Sequence, residues 1–125
     1  MRLQAQPRPR EQTWLWLAKV LSGVLVFALL VLHLVVNHLV ARGGLLTYAD
    51  VIAYYGNPVV PLMEGAFLVL VVTHALLGVR GIVLDMSPAP SIVRWVDVLL
   101  CGAGVLAIGY GLWLLYTLAS RAATG

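Results

Sequence analysis

The chain has 125 residues, 62% of them hydrophobic and 10% charged, with a net charge of +3 and a mean hydropathy of +0.96. That balance excludes an ordinary soluble globular domain, in which about a quarter of the residues are charged. The apolar residues fall in three long blocks, and the positive charge gathers at their flanks, which argues against a nucleic-acid face.

Residues 1–13, MRLQAQPRPREQT, are polar with two prolines and read as a cytoplasmic N-terminal arm suited to docking a soluble partner. The first block follows over residues 14–40, and its centre from Val20 to Val36 carries no charge and one histidine, His33. A helix rises about 1.5 Å per residue and the hydrocarbon core is about 30 Å thick, so about 20 apolar residues cross it. The block is therefore a membrane span. A cleaved signal peptide is the competing reading, but the apolar run is too long for one, has no small-x-small site at its end, and finishes in NHLVARGG.

The loop over residues 41–58 ends in Asn57-Pro58, and its Tyr48, Tyr54 and Tyr55 suit the outer headgroup level, where aromatic rings with a polar tip are favoured. A second helix is expected over residues 59–84, with Glu64 near its start and His74 inside it. MSPAPS, residues 86–91, makes a tight proline-rich return to a third helix over residues 96–119, uncharged from Val98 to Leu118. The lone Cys101 falls within this span, forms no disulfide framework, and reads as a small packing residue.

The expected fold is thus an all-α membrane protein of three transmembrane helices, up-down-up. Lys and Arg in short flanks favour the cytoplasmic side. Arg2, Arg8, Arg10, Lys19, Arg80 and Arg94 fall on one side, and only Arg42 and Arg121 on the other. The N-terminus is accordingly expected in the cytoplasm and the C-terminus outside.

Ionisable side chains inside spans are costly in hydrocarbon and mark functional candidates. Here they are His33, His38, Glu64 and His74, with Arg80 and Asp85 at the inner edge. Each helical residue turns by about 100°, so Gly78, Gly81 and Asp85 lie within about 40° of His74. An imidazole followed by two glycines on one face leaves a flat groove that suits a planar macrocycle such as haem. The same glycines also suit close helix packing, and the residues alone leave both readings open. Arg80 is a candidate partner for a haem propionate or an anchor at the inner interface.

In the first helix Ser22, His33 and Asn37 share a face, while His38 points about 140° away, as a wetted interfacial residue would. His33 is the second candidate iron ligand, at a level different from His74. Glu64 belongs near the depth of His33, as a hydrogen-bonding, proton-carrying or snorkelled carboxylate. Six-coordinate haem iron needs two axial ligands, and one histidine per level implies a second membrane chain or a second copy.

The run HALLGVRGIVLD resembles the His-x3-Gly-x-Arg/Trp-x4-Asp pattern in the second helix of the membrane-anchor subunits of succinate dehydrogenase and fumarate reductase. SGVLVFALLVLHLVVNHL is similar to the first helix of their D-type (cytochrome b) anchors, and GGLLTYADV to their outer loop. The resemblance implies a heterotetramer in which a flavoprotein with FAD and an iron-sulfur protein dock on the inner face of two anchors, in the inner (cytoplasmic) membrane of a prokaryote. It implies haem b on His74, a second haem on His33, ligands shared with a C-type anchor, and electrons passing from succinate to a quinone. It makes this chain a non-catalytic subunit of a succinate:quinone oxidoreductase, complex II of the respiratory chain and tricarboxylic acid cycle.

Two departures narrow the resemblance. The HRxSG motif of C-type anchors, whose polar residues face the quinone, reads KVLSG here, and Met86 stands where D-type chains often carry a quinone-bonding tyrosine. Asp85 is then the one residue carried over to the quinone site. The rival functions are a b-type cytochrome anchor of another quinone-linked oxidoreductase and a haem-free scaffold or transporter subunit.

Overall fold

The computed structural model describes residues 12–40 and 47–124. The N-terminal arm, apart from its last two residues, and the Ala41–Leu46 part of the first loop lie outside the described residues. Helix α1 spans Thr13–Val35 and continues as one π-helical turn over Val36–Val40. A short helix α2 spans Tyr48–Tyr55, and two long helices, α3 (Val59–Asp85) and α4 (Pro90–Thr124), complete the chain. Three of these helices are long and apolar enough to cross a membrane.

Each boundary has a local cause. Asn57 accepts the Val59 amide on its side chain at 3.0 Å and the Val60 amide on its carbonyl at 3.0 Å, which starts α3 behind Pro58. Helix α3 ends at Asp85, where Ser87 turns the chain with φ 53°. Pro90 then opens α4 at a position where a missing amide costs nothing, and the Ala89 carbonyl receives Ile92 and Val93. The third helix is therefore longer at both ends than its uncharged run, because the flanking segments 91–97 and 120–124 carry charged and hydroxyl side chains but are helix-compatible.

Helix α2 was not foreseen. It is nucleated by a capping box: the Asp50 amide donates to Thr47 Oγ1 at 3.2 Å, and the Thr47 amide to Asp50 Oδ2 at 2.8 Å.

Helix α3 is the centre of the bundle. Helices α1 and α4 both pack on it. Both neighbours run antiparallel to it. Along α3, Glu64 meets His33 and His74 meets Ser22 on α1, while Leu68 meets Gly111, Leu76 meets Gly104 and Arg80 meets Asp97 on α4.

Very little of this surface is buried within the chain: Val60, Met63 and Leu84 are the buried hydrophobic side chains, while Phe27 is 69% and Leu106 74% exposed. A chain that turns its apolar side chains outward is solvated by lipid or by other membrane helices, not by water.

The α3–α4 contact depends on two glycines that receive leucine side chains. A Cβ on Gly104 would stand 2.7 Å from Leu76 Cδ1, and one on Gly111 would collide with Leu68 Cδ2. Gly111→Ala is expected to destabilise the bundle by about 1–3 kcal/mol through overpacking, whereas Gly109→Ala, with nothing within 4 Å, should leave it unharmed. Thermal inactivation of the detergent-solubilised protein checks the pair, and equal effects would refute this packing.

Candidate functional site: a tethered histidine and two polar clusters

His74 projects from α3 onto α1. Its Nδ1 lies 3.1 Å from Ser22 Oγ and 3.2 Å from the Lys19 carbonyl, and Ser22 Oγ itself donates to that carbonyl at 2.9 Å. A carbonyl only accepts, so Nδ1 bears the proton and Nε2 carries the lone pair. The ring rests on Gly23, where a Cβ would meet His74 Cε1 at 3.0 Å. On α3 itself, Gly78 has nothing within 4 Å of its would-be Cβ and Gly81 is buried. The close wall of the imidazole is therefore a glycine of α1, and the open strip beside it begins at Gly78.

A second cluster surrounds His33. Its Nδ1 donates to Glu64 Oε1 at 3.0 Å, its Nε2 accepts from the Asn37 amide at 2.9 Å, and its ring stacks on Phe67 at 5.4 Å between centroids. Asn37 pays for this with a buried Oδ1 that has no partner among the described residues. The Tyr54 hydroxyl of α2 also donates to Glu64 Oε1, at 3.4 Å. Glu64 thus joins α1, α2 and α3 at one level, and it lines a crevice of about 380 Å³ with Tyr55, Phe67 and Gly111. His38 is exposed on the π-helical turn.

Burial, and then the Glu64 charge, push the Tyr54 phenol up to about 12, and the same two causes raise Tyr55. The tyrosine at the wetter end of α2, Tyr48, instead accepts from Arg121 at 3.0 Å.

The third cluster joins α3 to α4 near their shared turn. Arg80 Nε and Nη2 reach the two oxygens of Asp97 at 2.7 and 3.2 Å. The pair closes one end of a crevice of about 370 Å³, otherwise lined chiefly by Leu15, Leu76, Leu77, Leu100 and Cys101. Asp97 had been passed over because it precedes the uncharged run of the third block. The signal for it was Arg80, a guanidinium within the second block that requires a carboxylate within reach. Asp85 is exposed at the end of α3.

Among known proteins, residues 4–96 match the family model described as succinate dehydrogenase/fumarate reductase transmembrane subunit. The chain is 31% identical over 103 residues to a succinate dehydrogenase hydrophobic membrane anchor subunit of Archaeoglobus fulgidus, covering 82% of this chain and 87% of that one. It is 34% identical over 109 residues to succinate dehydrogenase 2 membrane subunit SdhC of Mycobacterium tuberculosis, covering 80% and 79%. No solved structure matches the chain.

Two outcomes are expected from these clusters. Asp97→Leu should destabilise the protein by about 1–2 kcal/mol by taking the carboxylate from the Arg80 guanidinium, and adding Arg80→Leu should recover part of that loss, as thermal denaturation would show. The raised phenol favours the neutral folded form, so its contribution is complete below about pH 10 and is lost as pH rises toward 12. In a difference absorbance titration of wild type against Tyr54→Phe, the missing phenol should remain protonated at pH 11. Ionisation near pH 10 would contradict the burial.

Proposed function

This chain belongs to the family of succinate dehydrogenase/fumarate reductase transmembrane subunits, and from that premise we propose that it holds haem b on Nε2 of His74. It is a multi-pass membrane anchor. The observation that carries the haem reading is the pair of contacts at His74 Nδ1, with Ser22 Oγ at 3.1 Å and the Lys19 carbonyl at 3.2 Å; the carbonyl accepts only, so the proton belongs on Nδ1 and the Nε2 lone pair is left for iron. Histidine ligands in metal sites commonly donate their other N–H to a carbonyl or carboxylate in this way.

His33 supports a second haem by the same logic. Its Nδ1–H is held by Glu64, a carboxylate, while Nε2 is capped by an Asn37 amide whose oxygen has no partner among the described residues. Turning Asn37 aside would expose Nε2 and let the orphaned oxygen find a donor. Ser22, at the level of His74, precedes His33 by 11 residues, or about 16 Å of helical rise, so the two histidines serve separate irons. Each site would then be completed by a residue of another chain.

When bound, haem supplies one-electron exchange. The residues of this chain fix the ligand tautomers, exclude water with an apolar surround, and set levels across the membrane. Arg80 is clamped on Asp97, so it would reach a propionate only in competition with that carboxylate. Asp85, exposed where α3 ends, is the carboxylate assigned to the quinone site. In this reading the N-terminus is cytoplasmic, the inner face docks a flavoprotein and an iron-sulfur protein, a second anchor completes the haem sites, and electrons pass from succinate to quinone.

A pyridine haemochrome assay on the purified complex should give a b-type spectrum with two haems. His74→Ala should remove one and His33→Ala the other, with the membrane insertion of both variants intact. Full haem content in His74→Ala would overturn the main assignment, and full content in His33→Ala the second.

A further inference from the structure

We infer that Ser22 and Gly23 are positioning residues for the His74 imidazole, an inference that rests on the haem reading and deepens it. Ser22 is a buried polar side chain, 7% exposed. Its hydroxyl proton goes to the Lys19 carbonyl at 2.9 Å, which fixes the hydroxyl's rotation and turns its oxygen lone pairs toward His74 Nδ1 at 3.1 Å. The Lys19 carbonyl lies 3.2 Å from the same nitrogen. One imidazole N–H is thus shared between two neutral acceptors on α1, and the hydroxyl cannot turn away without losing its own acceptor.

Gly23 sets the height of the ring above α1. A Cβ there would lie 3.0, 3.5 and 3.8 Å from His74 Cε1, Nδ1 and Nε2, so it would press on the edge of the ring that carries both nitrogens. Any side chain would lift the imidazole and lengthen both Nδ1 bonds together.

The consequence is electronic as well as geometric. The more strongly Nδ1–H is bound, the more electron density Nε2 donates, and the more the oxidised metal is favoured. Removing the Ser22 hydroxyl leaves only the longer carbonyl contact and weakens that donation. Both hydrogen bonds of the Ser22 hydroxyl are made within the His74 cradle.

The test uses the whole purified complex carrying Ser22→Ala, Ser22→Thr or Gly23→Ala. Ser22→Ala should retain its haem, raise the midpoint potential of the His74 haem and change its low-spin resonance spectrum, while KM for quinone stays at the wild-type value. Ser22→Thr, which restores a hydroxyl, should return the potential toward wild type. An unmoved potential and spectrum in Ser22→Ala would overturn the proposal, as would a raised quinone KM with unmoved haem signals. Should Ser22→Ala fail to assemble, Gly23→Ala reads the same contact with the hydroxyl intact: a changed spectrum or potential is expected, and unchanged values would overturn it. His74→Ala separates the two levels of the argument. If it keeps all its haem, the ligand assignment falls and the positioning role with it; if it loses one haem while Ser22→Ala is silent, only the positioning role falls.

Discussion

A polar group inside hydrocarbon has no water to turn to, so its hydrogen bonds must be made by the protein itself. The bond from His74 to the Lys19 carbonyl and Ser22 meets that requirement, and much of the arrangement follows from it. To bring an α1 carbonyl and hydroxyl to an α3 imidazole, the two helices must approach closely at one level. Gly23 permits the approach. Once that level is fixed, the antiparallel register carries His33 to Glu64 further along the same pair of helices.

Helix α3 therefore acts as a spine on which polar levels are spaced. Glu64 precedes His74 by ten residues, about 15 Å of rise, and Arg80 follows it by six, about 9 Å. The levels are completed by the surrounding helices: Glu64 by α1 and α2, His74 by α1, Arg80 by α4. Between the levels the α3–α4 contact is made by leucines entering glycine positions, a packing that gains from close approach because lipid offers no hydrophobic drive for helices to associate. Glu64 and His74 face α1 and the ion pair faces α4, so the side of the spine that carries the histidine contacts is distinct from the side that locks its C-terminal turns.

Most of the architecture was legible because membrane spans are written in composition: three apolar blocks, a basic flank and a proline-rich turn suffice to place three helices. Helix α2 was hidden by its tyrosines, which also suit an interfacial loop; the Thr47 and Asp50 capping pair was its local signal. Cross-helix partners were harder to see. Helical angle correctly groups Ser22 with His33 on one face of α1, yet the serine bonds to His74, because the relative height of two helices is not contained in the period of either. The same reason hides Asp97, 17 residues on and within reach of Arg80, from a reading of the sequence that offers the guanidinium a propionate or the inner interface. The two iron-ligand candidates themselves were visible, since histidine in a span is rare enough to stand out, but what holds each ring was not.

The stretch KVLSG illustrates how a partial motif can retain one physical task. A histidine and an arginine in that motif would bring charge and donors toward a polar substrate, and Lys19 and Val20 do not reproduce them. What persists is a serine and a glycine, and these are the two residue types that can hold a ring closely: one supplies an oxygen on a short side chain, the other removes the Cβ from beneath it. The mycobacterial relative is named SdhC, whereas the first-helix run SGVLVFALLVLHLVVNHL is similar to that of D-type anchors. The His74 cradle joins the SG pair of the first helix to the histidine of α3 within one chain. That combination requires no more than α1 and α3 packing at the height where Ser22 meets Nδ1, and it leaves the Nε2 lone pair uncommitted to either acceptor whichever name the subunit carries.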